Sequence, residues 1–215
     1  MDGFTIPLYK TVKKSDEETL IIKKSKFISY VSPVKNEVEA NHFIEMIRKK
    51  HWDATHNCYA YVIGENSHIQ KASDDGEPSG TAGKPMLEVL KKEGVLNTVV
   101  VVTRYFGGIL LGAGGLIRAY SQATTEGLQK AGIVERELHT EILLDVDYTW
   151  IGKLENELYN KGYPVKNVEY AETVRFTILA KYMFEQQLEK FLVDVTNGQA
   201  VINRGATLYV DKLLI

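Results

Sequence analysis

The chain has 215 residues, of which 44% are hydrophobic and 25% charged, and a formal net charge of −2, the balance of an ordinary globular protein with enough apolar surface for a core. Residues 1–137 carry 18 Lys+Arg against 17 Asp+Glu and residues 138–215 carry 8 against 11, so neither half is the basic body of a protein that coats nucleic acid by charge alone. No apolar run approaches the ~18 residues that span a bilayer, no basic-then-apolar leader opens the chain, and a single cysteine, Cys58, excludes an intramolecular disulfide and fits a reducing, cytoplasmic compartment.

In chain order, Thr19–Lys23 and Phe27–Val34 read as strands, with Ser25-Lys26 as a hairpin joint. The lysines of this region (Lys10, Lys13, Lys14, Lys23, Lys24, Lys26) alternate with strand formers and read as a solvated face. Asn36 can cap a helix and Glu39, three residues on, completes a capping box. Ala40, Phe43, Ile44 and Ile47 then share one helical face. Asn57–Ile63 alternates as a strand, Cys58, Ala60 and Val62 facing one way and Asn57, Tyr59 and Tyr61 the other. The continuous run Val99–Val102 indicates a strand covered on both faces. Leu116–Lys130 reads as a helix with a small inner face of Ala119, Ala123 and Gly127. A glycine inside a helix costs about 1 kcal/mol, so close packing on a sheet is the reason to expect it there.

The second half repeats a simpler rhythm. Glu141–Tyr148 is a strand; Ile151, Leu154 and Leu158 form a helical stripe that stops at Gly162. Val165–Tyr170 and Val174–Leu179 are strands. Phe184, Leu188, Phe191, Leu192 and Val195 form a second stripe ended by Gly198, and Ala200–Val210 closes the chain as a strand or hairpin. Strand-helix-strand-strand-helix-strand is the ferredoxin-like order. It predicts helices on one face of a four-stranded antiparallel sheet, with Phe184, Leu188, Leu192 and Val195 buried against it. The expected organisation is α+β in two domains, 1–137 and 138–215, meeting near Arg136–His139 without a flexible linker.

Two stretches carry the residues suited to chemistry. In Ser73-Asp74-Asp75-Gly76-Glu77-Pro78-Ser79-Gly80-Thr81-Ala82-Gly83, acids and hydroxyls crowd into a turn-rich loop. Its carboxylates Asp74, Asp75 and Glu77 are of the type that holds Mg²⁺, or they cap backbone N–H groups. The second stretch, Thr103–Tyr120, runs strand, glycine loop, helix, with Gly107, Gly108, Gly112, Gly114 and Gly115 leading into a helix N-terminus that favours an anion. Arg104 ends the strand and Arg118 is expected in the first helical turn, where both add charge for a phosphate or pair with the acidic loop. Neither a dinucleotide fingerprint nor a P-loop is present. His56 and Cys58 share a strand face, but the alignment of Cys58 with Ala60 and Val62 predicts a buried, inert thiol. His42, His51, His68 and His139 lack metal-ligand spacing. Tyr59 and Tyr61 either stack bases or pack against neighbouring strands.

His56-Asn57-Cys58-Tyr59-Ala60-Tyr61, the block Ser73–Gly83, and Arg104-Tyr105-Phe106-Gly107-Gly108 through Leu111-Gly112 to Gly114-Gly115 resemble the YigZ/IMPACT family, and the resemblance extends over the whole chain. It implies a first domain with the fold of ribosomal protein S5 domain 2 and a ferredoxin-like second domain similar to the last domain of elongation factor G. The family's eukaryotic relatives regulate translation by competing for the activator of a kinase, using an extra N-terminal domain absent from this sequence. The reading that follows is a non-enzymatic regulator linked to translation, with RNA, the ribosome or a translation-associated protein as partner and no membrane. The alternative is an enzyme or binder of a phosphate ligand or nucleotide that uses both loops. The candidate residues for an anion or partner are His56, Asp74, Asp75, Glu77, Arg104, Tyr105, Gly107, Gly108, Gly112, Gly114, Gly115 and Arg118. No residue is assigned to catalysis or to a metal, and no cofactor is expected beyond the Mg²⁺ alternative. The two loops are further expected to converge on one cleft, with Arg104 and Arg118 facing Asp74, Asp75 or Glu77.

Overall fold

The computed structural model describes residues 8–64 and 67–213. It has two compact units, one reaching Glu135 and taking in the chain from Asp211 on, the other Arg136–Val210.

The first unit contains β1 (Leu8–Val12), β2 (Asp16–Ile22), β3 (Ser25–Pro33), α1 (Glu37–Lys50), β4 (His56–Ile63), β5 (Ile69–Ser73), α2 (Gly83–Glu93), β6 (Thr98–Tyr105) and α3 (Ala113–Ala131). Five strands form an antiparallel sheet in the order β2-β3-β6-β4-β5. The valine strand β6 lies in its middle and is buried on both faces, as its sequence requires. Val100 and Val102 join Cys58, Ala60 and Val62 under α2 and α3, while Val99 and Val101 join Ile28, Tyr61 and the α1 residues Ala40, Ile44 and Ile47. Each fully buried valine contributes roughly 1.5–3 kcal/mol of transfer free energy. Tyr59 and Tyr61 therefore belong to the packing under α1. Their rings stack on each other at 6.4 Å, and the Tyr61 hydroxyl donates to Glu37.

Local signals hold where they are covalently close. The Asn36 side chain accepts from the Glu39 N–H at 2.9 Å, and the Glu39 carboxylate reaches back to the Lys35 N–H at 2.8 Å. Gly127 sits where α3 meets β3: a Cβ there would overlap Ser29 Oγ and lie 3.0 Å from Val31 Cγ2. Three expectations change. The β2–β3 turn is Lys23-Lys24, not Ser25-Lys26; both lysines have positive φ (44° and 65°), the twist that a two-residue hairpin demands. Helix α3 starts at Ala113 rather than Leu116, which places Gly114 and Gly115 in its first turn and Arg118 in its second. Helix α2, ended by Gly94 in the left-handed region, follows directly from the acidic loop and was not anticipated, although Met86 and Leu90 repeat at helical spacing.

The second unit follows the ferredoxin-like order. It comprises β7 (Ile133–Val146), whose first residues lie in the first unit, a 3₁₀ turn at Tyr148–Trp150, α4 (Ile151–Lys161), β8 (Val165–Tyr170), β9 (Val174–Lys181), α5 (Glu185–Val195) and β10 (Val201–Leu213). Within this unit four strands run in the order β10-β7-β9-β8, the number expected. Leu154 and Leu158 of α4 and Leu188, Leu192 and Val195 of α5 bury against Ile142, Leu144, Phe176 and Ile178. Phe184 does not join them: it is the N-cap of α5, with φ −111°, and its side chain is 58% exposed. A residue outside the first turn does not follow the helical stripe. Among the described residues no helix is long and apolar enough to cross a membrane.

Candidate functional site

Three connections meet at one end of the first sheet. Strand pairing places Lys26 opposite Tyr105 and His56 opposite Arg104. The Lys23-Lys24 turn, the segment 51–55 and the glycine loop 106–112 therefore share that end. They are tied together. The Phe106 N–H donates to Thr55 Oγ1 at 3.0 Å, and the Gly107 N–H donates to Ser25 Oγ at 3.1 Å. Gly107 lies so close to the hairpin that a Cβ would overlap the backbone of Lys24 and Ser25. Gly108 and Gly112 adopt φ of 83° and 70°, which only glycine takes up without strain.

Beneath this loop lies a buried ionic network. Arg104 Nη1 donates to Glu77 Oε1 at 2.7 Å, and the Tyr120 hydroxyl donates to the same oxygen at 2.7 Å. His56 Nδ1–H donates to the Asp75 carbonyl at 2.8 Å, which turns Nε2 toward Glu77 Oε2 at 3.8 Å. The Arg104 guanidinium lies 5.4 Å from the Phe27 ring centre and 5.5 Å from that of Phe106. Burial pushes the Tyr120 phenol far up. On the opposite face of the sheet, the Tyr105 hydroxyl donates to Asp53 Oδ1, His51 Nδ1–H donates to Tyr105, and the Tyr30 hydroxyl donates to His51 Nε2 at 2.6 Å. Burial lowers the His51 pKa, which keeps the ring neutral, as this chain of donors requires.

The acidic loop meets the glycine strand as expected at Glu77 and Arg104, but its three carboxylates do not converge. Asp74 accepts the backbone N–H groups of Gly80, Ala82 and Gly83 at 2.8–3.0 Å and so caps the start of α2. Burial raises its pKa, the three donors outweigh that, and the carboxyl ends below its ordinary value. Asp75 accepts the Asn57 N–H at 2.7 Å and pairs with Arg48 at 3.0 Å. Glu77 faces inward. No three His, Cys, Asp or Glu side chains among the described residues are grouped to hold a metal ion, so the loop does not fit the Mg²⁺ alternative. Arg104 is buried rather than poised for a ligand. Arg118 is exposed and, among the described residues, has no ion pair, so its expected pairing with the acidic loop is replaced by a position beside Gly114 on α3. Cys58 is buried, its Sγ–H donates to the Asp74 carbonyl at 3.0 Å, and burial pushes its pKa well above 9.0. It is not an activated nucleophile.

The loop above this network is apolar and in solvent. Leu110 is 83% exposed, and Phe106, Ile109 and Ile117 are each more than 40% exposed. Trp52, between His51 and Asp53, is 84% exposed at the same end. Sequence reading overlooked Trp52, Tyr120, Ser25 and the Lys23-Lys24 turn. The partners of Tyr120 and Ser25 lie 43 to 82 residues away, and no local pattern marks such pairings.

Comparison with known proteins covers both halves. The Impact N-terminal domain model matches residues 23–128, which include every element of this site, and the domain of unknown function DUF1949 matches residues 144–199. IMPACT family member YvyE of Bacillus subtilis is 52% identical over 204 residues, 95% of this chain and 94% of that protein. IMPACT family member YigZ of Escherichia coli is 39% identical over 82% of this chain and 88% of its own. Protein IMPACT-A of Xenopus tropicalis is 39% identical over 100 residues, 44% of this chain but 31% of that protein. A crystal structure of a hypothetical protein superimposes with a TM-score of 0.61 at 32% identity, over 92% of this chain and 97% of that one. With both halves matched in order and 52% identity to a relative aligned over nearly its full length, the chain belongs to the IMPACT family.

Proposed function

We propose that the protein is a non-enzymatic regulator linked to translation, which holds RNA, the ribosome or a translation-associated protein on the sheet end of its first unit. The observation that carries this reading is the apolar loop 106–111, tied at Phe106 and Gly107 and exposed above a buried network centred on Glu77. Clustered exposed apolar side chains mark a surface suited to binding a partner. The buried groups below supply neither an activated thiol nor an open carboxylate pair, which favours binding over catalysis. The translation link comes from the family resemblance, which is an argument by analogy. Co-sedimentation with ribosomes at moderate salt tests it, and absence from ribosomal and polysomal fractions in growing and starved cells contradicts it.

A second reading, a phosphate-ligand or nucleotide binder, draws on the start of α3. Gly112 caps that helix without a side-chain hydrogen bond, and Arg118 Nη1 lies 3.8 Å from where a Gly114 Cβ would sit. A thermal-shift screen with nucleotides, with and without Mg²⁺, separates the two: a saturable shift promotes this reading.

A further inference from the structure

We infer that the sheet end of the first unit is a seat for single-stranded RNA, with bases stacked on Trp52 and Phe106 and phosphates held by Lys23, Lys24 and Lys26. The inference rests on the binding reading above and names its ligand. In the linear sequence the lysines read as a solvated face and the two rings are 54 positions apart. The fold brings them together. Lys26 pairs across the sheet with Tyr105, whose hydroxyl is bonded on one side to His51 and on the other to Asp53, the two neighbours of Trp52. Phe106 follows Tyr105, and Gly107 wedges its loop against Lys24. Phe106, over Arg104 on one face, and Trp52, beside the Tyr105 bonds on the other, thus flank one short strand end with the hairpin lysines.

The charge there is local and unbalanced. Lys23, Lys24 and Lys26 are exposed and, among the described residues, form no ion pair. Among the described residues Asp53 is exposed here without a cationic partner, whereas the nearby exposed Glu17 is paired with Lys50, Asp75 with Arg48, and Glu77 is buried against Arg104. A chain of net charge −2 therefore carries three unpaired lysines beside two of its exposed aromatic rings, Trp52 and Phe106. Cations interleaved with open ring faces are the requirement for sequence-tolerant binding of single strands. Protein interfaces, in contrast, are depleted in lysine at their centres. The Phe106 ring lies over the buried Arg104 guanidinium, and Trp52 is bracketed by the His51 and Asp53 hydrogen bonds.

The test is fluorescence anisotropy of the full chain with labelled oligo(U) and oligo(A) of about 12 nucleotides. An RNA duplex of the same length and a poly-glutamate peptide serve as competitors. Trp52→Ala and Phe106→Ala should each weaken oligonucleotide binding about tenfold. The double change Lys23→Glu/Lys24→Glu should weaken it further and flatten the dependence of log K on log salt by about 1.4. Lys190→Glu, on α5, should leave it unchanged. Trp52 is almost wholly in solvent, so its loss reports on binding even if Phe106→Ala perturbs the loop. Equal binding by the ring variants, or competition by poly-glutamate as strong as by oligo(U), overturns the inference; the latter makes an acidic protein the occupant. If oligonucleotides fail while ribosome co-sedimentation persists, the RNA seat alone is wrong. If both fail, the binding reading falls with it.

Discussion

Arg104 and Glu77, 27 residues apart in the chain, meet at 2.7 Å with side chains 7% and 3% exposed, at the point where the glycine strand crosses the acidic loop. A buried pair of this kind is structural before it is functional. Removing one partner leaves an uncompensated charge in the core, so Arg104→Ala should destabilise the protein by about 3–5 kcal/mol in urea denaturation. Arg104→Met combined with Glu77→Leu should cost clearly less than either single change. A single Arg104→Ala that weakens binding and leaves the urea midpoint in place would restore the view of Arg104 as a ligand group.

Asp74 ties stability to acid. Its folded carboxyl lies below the ordinary 3.8, so the stabilisation is fully present above that value and is lost as pH falls through the lower folded one. Asp74→Asn should lower stability near neutrality by about 1–2 kcal/mol through loss of the α2 cap. It should also flatten the decline of stability below about pH 4. An unchanged acid limb in thermal melts across pH would count against this role.

Gly127 and Ser29 are coupled across the α3–β3 contact. Alanine in a helix is favoured over glycine by about 1 kcal/mol. The collision of a new Cβ with Ser29 and Val31 costs about 1–3 kcal/mol, so Gly127→Ala should be destabilising on balance. Ser29 Oγ is buried with no hydrogen-bond partner among the described residues. Ser29→Ala should therefore raise stability by on the order of 1 kcal/mol and partly rescue Gly127→Ala. A double-mutant cycle that shows no coupling would refute the contact.

These relationships mark what the sequence could and could not reveal. Val99–Val102, the Asn36–Glu39 cap and the α5 stripe at Leu188, Leu192 and Val195 were legible because periodicity and capping act within a few residues. Phe184 was misplaced because the spacing does not show where the helix begins. The Lys23-Lys24 turn carries no glycine or asparagine, so nothing local announced its positive φ angles. The candidate site was half legible: its glycines and Arg104 stand out, and the contact with Glu77 was expected. The convergence of Trp52, Phe106 and the hairpin lysines depends on strand register, which only the folded sheet supplies.

Cys58 gives a direct check on the interior of the site. With the thiol buried and its pKa pushed far up, a thiol reagent should modify the native protein only at the rate of global unfolding. Modification at the rate of the denatured chain would mean that the Asp74–Glu77 loop opens freely.

The measurement that bears most directly on the central claim is ribosome co-sedimentation of the native chain beside Leu110→Asp. Leu110 is 83% exposed on the glycine loop, so the substitution places a charge on the proposed contact without touching the core. The account predicts that the native protein sediments with ribosomal particles at moderate salt and that Leu110→Asp, with an unchanged melting temperature, remains in the supernatant. Equal sedimentation of the two proteins would contradict the assignment of the loop as the contact, and failure of both to sediment would contradict a ribosome as the partner.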